Sequence, residues 1–162
     1  MSEWFVVNAR EAQWRGDNDR SPICGFEENG RFPELGVNLM VLEPGTLGAL
    51  YHEEGAQEDF LVLAGHCLAI VEEQERPLGP WDFLHCPAGT RHVLVADGEP
   101  CLVLQVGARP SSSLRYPESE AARRHGAAAA AETSSVAEAY GERRRVPIPY
   151  GGWLERAFST ET

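Results

Sequence analysis

The stretch YHEEGAQEDFLVLAG, Tyr51 to Gly65, carries one histidine, four acidic residues and a glutamine in its first ten positions and then becomes wholly apolar. Charge this dense beside a core-forming run has two readings: a solvated loop, or a set of metal ligands at the mouth of the core. Side chains alternate along an extended chain, so His52 and Glu54 share one face while Glu53 points the other way. Gly55 allows the chain to turn, and Glu58 then opens the strand DFLVL with Asp59 on the opposite side. A carboxylate turned toward the apolar face at that point is costly unless a partner meets it.

Working outward, residues 36–107 form a succession of short apolar runs broken by turn signals: VNLMVL, ALYHEE, DFLVLAG, CLAIVEE, WDFLHC, RHVLVADGEP and CLVLQVG. Closely spaced short strands with Gly and Pro between them predict an all-β sandwich or barrel of antiparallel sheets. Ala64-Gly65-His66 and Asp97-Gly98 read as hairpin turns. The segment NAREAQWR, residues 8–15, predicts a short helix capped by Asn8. After Arg109 the run PSSS marks a boundary; PESEAARRHG and SSVAEAYGERRR then predict helices, with the alanine-rich GAAAAAET between them. The tail VPIPYGGWLERAF is expected to be extended, with Tyr150 and Trp153 as anchors. The expected organisation is an N-terminal segment contributing to the barrel (1–35), a barrel core (36–109) and a helical C-terminal appendage (110–162). The appendage has too few large apolar residues for a core of its own.

Composition narrows the function. The chain has 162 residues, 43% of them apolar, which suits one ordinary core. A formal charge of -11, from 25 acidic against 14 basic residues, repels phosphate backbones and anionic lipid, so neither nucleic acid nor membrane is an expected partner. Arg123, Arg124 and His125, and the run Arg143 to Arg145, read as solvated helix faces. Every basic side chain is arginine, which excludes lysine Schiff-base chemistry. No run approaches the ~20 apolar residues of a membrane span and the opening residues lack a signal-peptide pattern, so a cytoplasmic protein is expected. Cys24, Cys67, Cys86 and Cys101 form no C-x-x-C pair and are expected to be free thiols acting as small hydrophobes. Serine-elbow and nucleotide-loop patterns are lacking.

The second chemical signal is PAGTRH, which delivers His92 at the start of another strand. Two imidazoles and two carboxylates on neighbouring strands make a plausible set of ligands for a divalent transition metal. Together these segments resemble the two-part signature of the cupin superfamily, G-x5-H-x-H-x(3,4)-E-x6-G followed by G-x5-P-x-G-x2-H-x3-N. The spacing agrees from Glu58 to Gly65 and through Pro87, Gly89 and His92. It departs at Gly45, displaced by one residue, at Glu54, where the family has histidine, at Trp81 in place of a glycine, and at Ala96 in place of an asparagine.

The resemblance implies a jelly-roll barrel, the double-stranded β-helix, holding one metal through His52, Glu54, Glu58 and His92, with a small-molecule site lined by apolar residues such as Leu50, Phe60, Phe83 and Leu104. A carboxylate in place of an imidazole makes the site harder, favouring Fe, Mn, Zn or Ni over copper. Gln57 could join if the register slips, whereas Glu53 and Asp59 face solvent. His85 reads as structural, His66 as exposed and Tyr51 as packing. The implied activity is a metal-dependent enzyme of the dioxygenase, isomerase or decarboxylase type; a non-catalytic ligand-binding or sensor module, or a vestigial site serving assembly, are the alternatives. Exposed sheet edges and the appendage make a homodimer the expected assembly.

Overall fold

The computed structural model describes residues 4–27, 30–109 and 113–159. In chain order the strands are β1 (Trp14–Asp17), β2 (Arg20–Cys24), β3 (Leu35–Leu42), β4 (Glu53–Glu54), β5 (Glu58–Ala64), β6 (Cys67–Val71), β7 (Gln74–Leu78), β8 (Phe83–Cys86), β9 (His92–Ala96), β10 (Cys101–Ala108) and β11 (Leu114–Arg115). Two short helices follow, α1 (Glu120–Arg124) and α2 (Val136–Tyr140), then β12 (Val146–Ile148) and α3 (Trp153–Ser159). The strands build a seven-stranded sheet, β12-β1-β2-β3-β10-β5-β8, and a three-stranded sheet, β7-β6-β9, with a short β11-β4 pair at one end. All strand pairs are antiparallel, giving the expected all-β jelly roll.

Strand alternation explains the layers. Met40, Leu42, Phe60, Val62 and Val103 project from the large sheet onto Ala69 and Leu94 of the small one, forming the core between the sheets. The opposite face of the small sheet, Ile70 and Val93, carries the C-terminal segment, whose Ala121, Ala122, Ala127 and Ala139 are buried against Leu50 and Tyr51. Alanines suit this position because they let a chain lie close to a sheet without displacing it. The outer face of the large sheet is covered by α3, with Leu154 and Ala157 against Val41 and Leu102. Both sheets are therefore sandwiched, and central strands such as β9 are apolar on both faces.

Several expectations change. The Ala64-Gly65-His66 and Asp97-Gly98 turns are not hairpins: β5 and β10 lie in the large sheet, β6 and β9 in the small one, so both turns are corners between sheets. These corners pack on each other: Gly65 sits at φ +72°, and a Cβ there would stand 2.1 Å from the Pro100 carbonyl oxygen. The hairpin the sequence hid is β6–β7, turned by Glu72 and Glu73 at φ 48° and 66°. This left-handed geometry usually takes Gly or Asn. It is held here because Glu72 accepts the Arg91 N–H at 2.8 Å and pairs with its guanidinium, while Glu73 accepts the Glu120 and Ala121 N–H groups that open α1.

Residues 8–15 do not form the expected helix. Asn8 accepts the Glu11 and Ala12 N–H groups in a single turn, and β1 then begins at Trp14. Burial decides this: Trp14 is fully enclosed, donates its indole N–H to the Ala9 carbonyl at 2.7 Å, and packs on Trp153 and Tyr150. Tyr150 and Trp153 are thus anchors as expected, but the tail is only half extended, pairing as β12 and then continuing as α3. Helices α1 and α2 are present, capped by Ser119 and Ser135, whereas GAAAAAET is not helical. Its Ala127 carbonyl accepts the Tyr51 N–H at 2.7 Å. Pro110 to Ser112 of the boundary signal lie outside the described residues. All four cysteines are free and buried.

Candidate metal centre

Three strand starts deliver the site. His52 and His92 exchange backbone hydrogen bonds across an antiparallel bridge, 3.1 and 2.9 Å, which sets their rings side by side, centroids 4.7 Å apart and planes tilted by 51°. Immediately before β9 the turn Pro87 to Thr90 closes through Thr90 N–H to Pro87 C=O, 3.0 Å, with Gly89 at φ +84°. A side chain at that place would oppose the turn, so Gly89 aims His92. Glu58 shares its strand face with Phe60 and Val62, which carries its carboxylate inward, and it is only 5% exposed. One ligand atom each of His52, Glu58 and His92 lies within 4.8 Å of the others.

The imidazoles are oriented by their far nitrogens. His52 Nδ1 lies 2.7 Å from the Leu50 carbonyl and His92 Nδ1 lies 2.9 Å from that of Thr90. A carbonyl can only accept, so each Nδ1 carries a proton and each Nε2 turns its lone pair into the cluster. Both Nε2 atoms face the same oxygen, Glu58 Oε2, at 3.3 and 3.0 Å. His92 Nε2 is buried without a hydrogen-bond partner, although Oε2 lies 3.0 Å away. Gln105 Nε2 holds the other carboxylate oxygen at 3.0 Å. Phe60 closes the site edge-on against His92, 5.3 Å between ring centroids.

Three electron-rich atoms converging in a buried place call for a positive charge, either a proton or a cation. The titration directions express this. Burial opposes a charge on His92, but Cys86 and Glu58 outweigh it and lift its pKa to about 9. Burial likewise opposes a charge on His52, and the Glu58 carboxylate turns the balance upward. Burial would raise Glu58, yet the two histidines beside it hold it well below the usual carboxylate range. The donor set, two imidazole nitrogens and a carboxylate, therefore fits a divalent transition metal.

The cluster opens into a cavity of about 200 Å³ whose walls include Asn38, Glu54, Gln105, Tyr116, Tyr140 and Arg145. Of the four expected ligands, three come together and Glu54 stands in this wall, outside the cluster. Leu50 and Phe60 are buried as expected, but Phe83 is 62% exposed, because it lies on the outer side of the edge strand β8. Gln57 and His85 both bond Asp59 on the surface, His66 pairs with Glu99 there, and Glu53 pairs with Arg115. Tyr51 is packed, its hydroxyl accepting the Glu73 N–H at 3.3 Å. The sequence reading missed Gln105, whose signal is a polar residue at an inward place in CLVLQVG, and the C-terminal Tyr116, Tyr140 and Arg145, which show no local signal.

The sequence pattern of the cupin domain matches residues 38–107. The match runs from within β3 to within β10, the strands of the barrel. Similar solved cupins include a sugar phosphate isomerase of the superfamily from Silicibacter pomeroyi, 29% identical with a TM-score of 0.51, covering 59% of this chain and 62% of that one. A putative sugar phosphate isomerase from Acidithiobacillus ferrooxidans is 24% identical, TM-score 0.52, with the same coverage of 59% and 62%. The chain thus spans about three-fifths of the length of these two proteins. The polyketide cyclase RemF from Streptomyces resistomycificus shares the fold at 13% identity, TM-score 0.59, over 69% of this chain and 84% of that one. Among curated proteins none is significantly similar. No helix among the described residues is long and apolar enough to cross a membrane.

Proposed function

We propose that this cupin binds one divalent metal, of the Fe, Mn, Zn or Ni class, through His52, Glu58 and His92, and acts as a metal-dependent enzyme on a small oxygenated molecule. The observation that carries the reading is the convergence of two imidazole lone pairs on a buried carboxylate, with His92 Nε2 left without a hydrogen bond. A metal bound there would supply Lewis acidity toward an oxygen of the ligand. The rest falls to the chain's own groups. Asn38 and Gln105 offer neutral hydrogen bonds in the cavity wall, and Arg145 offers a cation. Tyr116 is pushed by burial to a raised pKa, so it serves as a hydrogen-bond donor rather than a base. Glu54, in the wall beside the ligand set, is the carboxylate placed to accept or return a proton.

Among isomerase, dioxygenase and decarboxylase chemistry, the isomerase type is favoured by the likeness to the Silicibacter pomeroyi sugar phosphate isomerase, the one of these relatives above a quarter identity. Elemental analysis of the purified wild type, His52→Ala and His92→Ala tests the centre. Substantial metal in the wild type and little in either variant is expected; equal content in all three would sink the assignment. With the metal in place, ligand-induced stabilisation without turnover across a panel of sugar phosphates and hydroxy acids would move the reading to a non-catalytic binding module.

A further inference from the structure

A pocket wider than the cavity beside the histidines lies elsewhere in the molecule. It measures about 600 Å³ and lies between the β1–β2 hairpin and the segment that follows α2; Arg15, Arg20, Arg143, Arg144 and Arg145 stand in its walls with Tyr140, and no acidic residue does. The run Arg143 to Arg145 is therefore not the solvated helix face its sequence suggests. It follows the end of α2 in a non-helical connection, and Arg145 turns inward.

Five arginines in one wall are unexpected in a chain of net charge -11. Elsewhere the acids find the arginines: Arg10, Arg91, Arg109, Arg115, Arg123, Arg124 and Arg156 all make ion pairs. Among the described residues none of the five pocket arginines does. Backbone carbonyls hold Arg15, Arg20, Arg143 and Arg145 instead. Arg20, only 6% exposed, donates to Leu47 O, Gly48 O and Arg143 O and lies over the Tyr140 ring at 4.2 Å. Arg145 donates to Ser21 O and Gly48 O, and Arg15 to the Arg145 carbonyl. Carbonyls fix geometry without cancelling charge. Burial, and then the neighbouring Arg20, push Arg145 down to about 10, and burial also lowers Arg20. The pocket stores mutual repulsion that a bound anion would relieve.

We propose that this arginine pocket is a second ligand site, for a small phosphate-type polyanion such as the phosphoryl end of a phosphorylated small molecule. Guanidinium forks match the oxygens of phosphate two at a time, and the rigid carbonyl anchors preset the forks before the ligand arrives. The site does not depend on the metal reading. Arg145 and Tyr140 stand in the walls of both cavities, so an anion here also bears on the shape of the metal cavity.

Calorimetric titration of metal-free protein, in chelator and at constant ionic strength, with inorganic phosphate, pyrophosphate and citrate tests it. One pyrophosphate per chain is expected, bound more tightly than phosphate or citrate and raising Tm. Arg144 and Arg15 are exposed, so Arg144→Gln and Arg15→Gln keep the fold. Each is expected to weaken pyrophosphate about tenfold, the loss of one charge-assisted hydrogen bond, while Arg123→Gln, whose arginine pairs with Glu120 at 2.8 Å, leaves it unchanged. Absence of binding at millimolar pyrophosphate, equal weakening by Arg123→Gln, preference for citrate, or the same Tm rise from chloride at matched ionic strength would each overturn the proposal.

Discussion

The metal cavity has two unlike walls. One is made by barrel strands, where His52, Glu58, His92 and Gln105 are placed by alternation and cross-strand register. The other is made by the C-terminal segment, where Tyr116, Tyr140 and Arg145 are placed by alanine packing on the small sheet and by carbonyl anchors. On the proposed function, the contrast teaches that the first wall would set which ion is held and the second what reaches it. Substitutions in the two walls should therefore separate metal content from ligand binding.

The largest separation is expected from His92→Ala, which should reduce metal affinity a hundredfold or more, roughly the loss of one of three ligands. Competition titration against a fluorescent chelator reads it, and a loss below tenfold would mean that His92 is not a ligand. Next comes Gln105→Leu, which frees Glu58 Oε1 and should weaken metal by about tenfold with little change in fold. Arg145→Gln, from the other wall, should leave metal content unchanged while costing about 1–3 kcal/mol of stability and the binding of anionic ligands. Metal loss in Arg145→Gln would erase the distinction between the walls.

A pH series sharpens the strand wall further. In metal-free protein His92 has a pKa of about 9, above the ordinary value of 6.5. The stability it contributes is therefore complete below about pH 6.5 and is lost as pH rises through 9. Glu58, depressed, contributes above the ordinary carboxylate pKa and loses that contribution as pH falls toward its folded value. Metal-free Tm should thus decline between about pH 6.5 and 9, and metal loading should flatten the decline because the ion replaces the proton. An identical slope with and without metal would contradict the centre. The smallest effect is expected from Glu73→Ala, which removes the acceptor for the first N–H groups of α1 and should cost about 1 kcal/mol in a denaturant melt.

The barrel was legible in the sequence where alternation and special residues coincide. The runs that form β3, β5, β6, β8, β9 and β10 read as strands, and His52, Glu54, Glu58 and His92 read as one ligand set, of which Glu54 stands apart in the cavity wall. The rest was hidden for definite reasons. β7, QERPL, has four exposed residues and no apolar alternation, and its Pro77 is tolerated because β7 is an edge strand. β1 lies in a segment with helix-forming residues, and only the burial of Trp14 reveals it. The corners at Gly65 and Gly98 look like hairpin turns because local sequence encodes a reversal of direction, not the sheet that the next strand joins. Tyr116, Tyr140 and Arg145 reach the site through tertiary packing alone.

The pairing of β1 with β12 bears on how the chain reaches this state. Trp14 lies opposite Ile148, and Arg15 bonds Arg145 across 130 residues of sequence. Closing so long a loop is entropically slow, and contacts this distant raise the contact order of the whole domain. The strand order also places β1 outermost until β12 arrives. During synthesis the hairpin β1–β2 must wait with one edge open, and its indole uncovered, until residues 146 to 159 emerge. The barrel strands can pair earlier. A chain stalled before residue 146 would hold His52, Glu58 and His92 on paired strands but expose a sticky edge, the kind of species that chaperones bind.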